Sequence, residues 1–283
     1  MGTHKEEHMT TSLILRPTGE LTETQAAMLA ELDREGDAGF DFRPIKLKFP
    51  TGGTTAAFNL SDDDMLKVPV EMIVAVAQKT RGYWPTVNGK KVLGKPPVCE
   101  SLDGVSGYFD VASEQVQAAL GMTVRHPALS VVDETQVSGP WDCKTCPLSE
   151  WGSVGDGNRG QACKSMRRLL VIVKGWAMPA LLTLPPTSIK AWDIFASGMR
   201  QRGQAYFSRW LTVEFDKANN GSNDYAVLKL KLGTPLTDPE AAEVMAIRAQ
   251  FAELVRRMGI EGDEYGEDEA SAPYVQEPAD TPF

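Results

Sequence analysis

Histidine is almost missing from this chain: three residues in 283, two of them (His4 and His8) within the first ten. That scarcity argues against histidine-based nucleases and Ser/His/Asp triads. No Gly-x4-Gly-Lys-Ser/Thr phosphate loop occurs, and no Gly-x-Gly-x-x-Gly follows a strand pattern, so neither nucleotide-binding motif is expected. No run of roughly eighteen apolar residues is available to span a bilayer. Met1–Thr11 has no apolar stretch for a secretory signal, which sets the expectation of a cytoplasmic protein without a membrane partner. Cysteines number only four, yet at 42% hydrophobic and 24% charged residues the chain is rich enough to build a core.

Positive charge is also scarce on average, with 29 Lys and Arg against 38 Asp and Glu, a net of −9. The imbalance is local. Residues 261–283 hold eight carboxylates (Glu261, Asp263, Glu264, Glu267, Asp268, Glu269, Glu277, Asp280) and no Lys or Arg. Between Asp142 and Lys231, 13 basic residues outnumber 7 acidic ones. A basic middle and an acidic end are hidden in one acidic pI.

Along the chain, residues 1–36 read as a polar arm followed by a short helix, opened by the capping box Thr22-x-x-Gln25 and stopped by Gly36. Ile45–Phe49 alternates like a strand, and Val68–Val76 reads as either strand or helix. Arg81–Glu100, with Tyr83, Trp84 and Lys90-Lys91, reads as an exposed loop or hairpin. Cys99–Cys163 is Gly-, Ser- and Asp-rich and reads as a loop-built insertion. Leu169–Val173 and Ala180–Leu184 are buried-type strands, and a helix follows from Thr187 or Ser188 to Gly203, with Trp192 on its core face. Arg209–Asp216 and Tyr225–Leu232 alternate as a hairpin around Asn219-Asn220-Gly221-Ser222. A second capping box, Thr237-x-x-Glu240, opens a helix over 238–259 whose Val244, Ile247, Phe251, Leu254 and Met258 form a stripe. That stripe suits packing on its own domain or, alternatively, self-association.

This order of strands and one helix predicts an α+β, mainly β fold. The expectation is an OB-type barrel over 37–237, carrying a zinc-stapled loop insertion over 99–163 and flanking helices, with a disordered acidic tail over 260–283.

Cys143-Lys-Thr-Cys146 is a knuckle whose two sulfurs can face one tetrahedral ion; Cys163 follows, and Cys99 is left for the fourth corner. Four thiolates in this pattern point to structural Zn²⁺, although spacing alone does not separate zinc from an iron–sulfur cluster. Metal binding would order a segment too poor in apolar residues to order itself.

Single-strand binding needs cations along the phosphates and flat rings under the bases. The residues expected to supply these are Trp84, Trp151, Arg159, Lys164, Arg167, Arg168, Lys174, Arg202, Tyr206, Arg209 and Trp210. Asp62-Asp63-Asp64 is a carboxylate cluster that could hold Mg²⁺ for an enzyme, although after Ser61 it more simply begins a helix.

The chain closes on Asp280-Thr281-Pro282-Phe283. An acidic leash ending in an aromatic ring beside a carboxylate has the makings of a docking peptide. It resembles the tail of bacterial single-stranded-DNA-binding proteins, which finish in Asp-x-Pro-Phe. The zinc-stapled body resembles instead the single-stranded-DNA-binding proteins of large tailed phages, which hold zinc with a Cys/His set. The segments Cys143-x2-Cys146-Pro-Leu-Ser-Glu-Trp-Gly152 and Leu184-Pro-Pro-Thr-Ser188 resemble proteins of phage replication regions. These resemblances imply a non-enzymatic protein that coats single-stranded DNA during replication or recombination. They also imply that Asp280, Pro282 and Phe283 recruit partner proteins. The alternative is a zinc-containing phage regulatory adaptor that binds host polymerase or repair proteins without binding DNA.

Overall fold

A computed structural model describes residues 44–50, 53–61, 64–84, 86–87, 90–91, 96–109, 140–154, 160–219 and 224–264, with helical positions 23, 24, 27, 28, 30 and 31. Those six positions agree with the short N-terminal helix, and Met28 there is exposed.

The spine is β4 (Val70–Tyr83), read from sequence as strand or helix. Its burial on both faces over Met72–Val76 explains the continuous apolar run. One edge of β4 pairs antiparallel with β10 (Cys163–Val173), from Met72 opposite Val173 to Tyr83 opposite Cys163. The other edge is shared: β12 (Arg209–Asn219) pairs at Val70–Met72, and β7 (Cys99–Ser101) pairs at Arg81–Tyr83. β11 (Ala180–Leu184) follows on β10, and β1 (Ile45–Leu47) lies parallel to β11. β13 (Asp224–Pro235) forms the hairpin with β12. Short pairs complete the set: β2 (Ala57–Asn59) with β3 (Met65–Lys67), β5 (Thr86–Val87) with β6 (Lys90–Lys91), and β8 (Ser106–Phe109) with both β7 and β9 (Trp141–Asp142). Within the stretch read as loop, β7, β8 and β9 extend the main sheet.

The result is a mixed α+β fold, mostly strand, around one large nine-stranded sheet. Among the described residues β11 and β13 do not pair, so the sheet is not closed into a barrel by strand pairing. Helix α1 (Pro186–Gln201) spans the gap. The Ser188 hydroxyl accepts a hydrogen bond from the Leu228 N–H at 3.0 Å, satisfying an amide on β13 that strand pairing would otherwise take.

Two cores result. On one face, Met72, Val74, Leu169, Val171, Leu182 and Trp192 of α1 pack with the edge-to-face ring cluster Phe49, Phe58 and Phe215. On the other, Ile73, Val76, Leu170, Ile172 and Leu181 are covered by α2 (Asp238–Arg257) through Val244, Ile247, Phe251 and Val255. The α2 stripe is therefore used within its own domain, and the predicted Leu254 points outward while Val255 points in.

The boundary of the acidic tail is corrected. Residues 258–264 return to the sheet: Ile260 packs on Trp84 and Met166, and its N–H donates to the Glu100 carboxylate at 2.9 Å. Glu264 is buried and paired with Arg168. An acidic composition suggested solvation from residue 260 onward, but these glutamates have partners that the local sequence does not reveal. Asp280, Pro282 and Phe283 lie outside the described residues.

Candidate nucleic-acid interface and thiol cluster

In antiparallel pairs, directly opposed residues share a face. Ser165 lies opposite Arg81 and Arg167 opposite Lys79, so the end of the β4–β10 ladder places Lys79, Arg81 and Arg167 on one face. They line a cavity of about 440 Å³ together with Lys164, Trp151 and the start of α1 from Pro185 to Ile189. The β7–β8 turn forms the opposite wall through Asp103, Gly104 and Val105. Gly104 has φ +74°, and a Cβ there would sit 3.1 Å from Lys79 Cβ, so glycine permits both the turn and its close approach.

The polar groups of this cleft are held in place. Arg167 donates to both carboxylate oxygens of Asp193 on α1, at 3.2 and 2.9 Å. Arg81 donates to Ser149 Oγ at 2.8 Å, tying β4 to the segment just after the cysteine knuckle. Asp103 accepts from the Val105 and Ser106 N–H groups and the Ser101 hydroxyl. Burial pushes the Asp103 carboxyl up, but these hydrogen bonds outweigh it and hold its pKa below the ordinary aspartate value. Trp151 is 38% exposed on the rim, with Val105 exposed beside the cavity.

Of the residues predicted from sequence, Trp151 and Arg167 meet in this cleft; Lys164 borders it but is buried, at 8% exposure, on the same strand face as Arg168. Trp84 does not: it is 2% exposed, stacked over Gly82 and covered by Ile260. Trp210 is likewise sealed, at 7% exposure, because α2 covers the strand face that it shares with Thr212 and Glu214; its Nε1 reaches Glu240 at 3.4 Å. Arg168 points to the opposite side of the sheet from its neighbour Arg167 and is wholly buried. Besides Glu264, it donates to the Met258 and Gly259 carbonyls at 2.6 and 3.2 Å. These three belong to the core, and a contact with nucleotides from their positions is overturned.

Lys174, Arg202, Tyr206 and Arg209 lie toward the other end of the β4–β10 ladder or beyond the far end of α1. Lys174 pairs with Glu71, and Tyr206 packs on Trp192. Arg159 lies outside the described residues, as do Asp62 and Asp63. Asp64 accepts backbone bonds from Leu60 and Ser61 in the β2–β3 turn, and the expected helix there is a hairpin. Sequence reasoning missed Lys79 and Arg81. Their signal was the alternation Lys79-Thr80-Arg81, obscured because the strand's continuation past Val76 was not recognised.

The four cysteines converge. Cys163 and Cys99 oppose the same residue, Tyr83, from the two strands flanking β4. A Cβ placed on Gly107 would lie 3.2 Å from Cys99 Sγ and 3.5 Å from Cys143 Sγ. None of the four is in a disulfide. Burial pushes the Cys163 thiol up to about 12, with the Cys143 and Cys146 charges adding to the shift and Arg81 opposing it. Burial also raises Cys99, reinforced by repulsion from the other three thiols. Among the described residues, no group of three or more His, Cys, Asp or Glu stands in a metal-holding arrangement. By residue type alone, four thiols are the donor set that suits a soft tetrahedral ion.

No helix among the described residues is long and apolar enough to cross a membrane. No protein family, curated protein or solved structure matches the chain.

Proposed function

We propose that this protein binds single-stranded DNA without catalysing a reaction on it, and that the cleft between β4, β10, the β7–β8 turn and the start of α1 is where the strand passes. The observation that carries this reading is the lining of that cleft: Lys79, Arg81 and Arg167 around a nucleotide-sized space, with the Trp151 ring at the rim. Cations along a groove give affinity for any sequence, and a flat ring accepts any base.

The chain path supports an OB-type body. β4, β10 and β11 form a meander, α1 follows, β12 returns to β4, and β13 adds to β12. That is the order of an OB barrel with its helix between the third and fourth strands, and the Ser188–Leu228 bond stands where strand closure would be. Such barrels bind on the second and third strands and the loop between the first two. Here the 84–162 connection supplies Trp151, while α2 covers the outward face of β10 and β11, so a strand would meet this body at its end, where Arg167 stands.

Cys99, Cys143, Cys146 and Cys163 would hold one structural zinc, which supplies a cross-link between the knuckle and the sheet. The Asp280–Phe283 tip would recruit replication or recombination proteins.

Titrating the intrinsic tryptophan fluorescence with oligo(dT) across a salt series tests the proposal. Binding should weaken with salt, log K falling by about 0.7 per phosphate contacted for each tenfold rise. Absence of length-dependent binding would overturn it. The adaptor reading then stands, and one observation already favours it: Trp84, Trp192 and Trp210 are sealed in the core, leaving few rings for stacking.

A further inference from the structure

We infer that Asp193 is a built-in competitor for the strand's phosphate, occupying the Arg167 fork and setting the cleft's affinity from within. The inference rests on the cleft being the nucleic-acid site.

Arginine presents two parallel N–H groups that match a carboxylate or a phosphate equally well. Asp193 already takes one such edge of Arg167, through Nε at 3.2 Å and Nη2 at 2.9 Å. The two side chains differ in freedom. Arg167 is 13% exposed and also donates from Nη1 to the Met166 carbonyl at 3.2 Å, while its strand position is fixed opposite Lys79. Asp193 is 47% exposed on the flank of α1, so it can swing into water and leave the arginine where it stands.

Asp103, the other carboxylate among the described lining residues, is committed to three hydrogen bonds in its turn and has no such role. Two effects of Asp193 therefore oppose each other: it orients Arg167, and it repels and competes with phosphate. Orientation is already supplied by the strand and the Met166 carbonyl, so competition wins. The cleft then releases a strand faster than Lys79, Arg81 and Arg167 alone would dictate.

Asp193→Asn tests this, because it keeps the side chain's shape and removes its charge. Affinity for oligo(dT) should rise about two- to fivefold, and the slope of log K against log salt should steepen by up to about 0.7. In an Arg167→Ala background the same substitution should give a smaller gain. Unchanged or weaker binding by Asp193→Asn, with an intact circular dichroism spectrum, overturns the inference. An equal gain in both backgrounds overturns the fork as its route. Absence of binding in wild type and variant alike overturns the underlying cleft reading. Binding that ignores Lys79→Ala and Arg81→Ala also overturns that reading, because it puts the site elsewhere.

Discussion

The Arg248 guanidinium of α2 donates to the carbonyl of Ala75 at a β-bulge in β4. Leu170 pairs with Val76 and Val171 with Val74, so Ala75 has no partner on β10. The guanidinium carbon stands 3.9 Å from the centroid of the Phe207 ring. One side chain thus satisfies the irregular strand and pins the helix to it. Arg248→Ala should cost about 1–3 kcal/mol in urea unfolding, since a buried carbonyl is left unmade. Arg248→Lys should recover only part of this, because an ammonium lacks the flat face that lies on the ring.

The Arg168–Glu264 pair, with both side chains essentially unexposed, gives a sharper prediction. Glu264 also accepts from the Thr183 hydroxyl at 3.0 Å. Removing one partner, as in Glu264→Gln or Arg168→Met, strands a buried charge and should destabilise by about 3–5 kcal/mol. The double replacement should cost less than the sum of the singles, as a thermal or chemical double-mutant cycle would reveal.

Cleft residues should separate from the basic residues outside it. Lys79→Ala and Arg81→Ala should each lower affinity and flatten the salt dependence by about 0.7. Trp151→Ala should lose about 1–3 kcal/mol of binding. Arg202→Ala and Arg209→Ala should leave oligo(dT) titrations unchanged.

The capping box of α2 carries a pH signature. The Glu240 carboxylate accepts from the Thr237 N–H at 2.8 Å, and that bond holds its pKa below the ordinary glutamate value despite partial burial. A depressed folded pKa stabilises above the unfolded value of about 4.3 and loses that stabilisation as pH falls through the folded one. Acid titration of the wild type should show this loss, and Glu240→Gln should remove that contribution. Thr237→Ala should cost about 0.5–2 kcal/mol.

Zinc can be tested without DNA. Protein purified without chelator should carry one zinc per chain by elemental analysis, and chelation should lower the melting temperature. Serine at Cys143 or Cys146 should abolish zinc retention. Iron with visible absorbance would instead identify a cluster.

Much of the scaffold was legible because local patterns agree with it. Ala180–Leu184 was bounded by Pro185-Pro186, Thr237 and Glu240 marked the start of α2, and alternation revealed the β12–β13 hairpin. Alternation failed at Trp210, since a face that looks polar by its neighbours becomes core when a distant helix covers it. Trp84 failed for the same reason, with Ile260 arriving from far along the chain. Arg167 and Arg168 look alike in sequence, yet the strand's period of two sends one to the cleft and the other into the interior.

The return of residues 258–264 to the sheet has a mechanical consequence. Whatever follows Glu264 hangs from a side chain clamped to Arg168, on the strand whose opposite face offers Arg167 to the cleft. A pull on the chain end is borne by β10 before it reaches α2. Under the proposed function, tension from a partner docked on the tail would load the floor of the cleft directly.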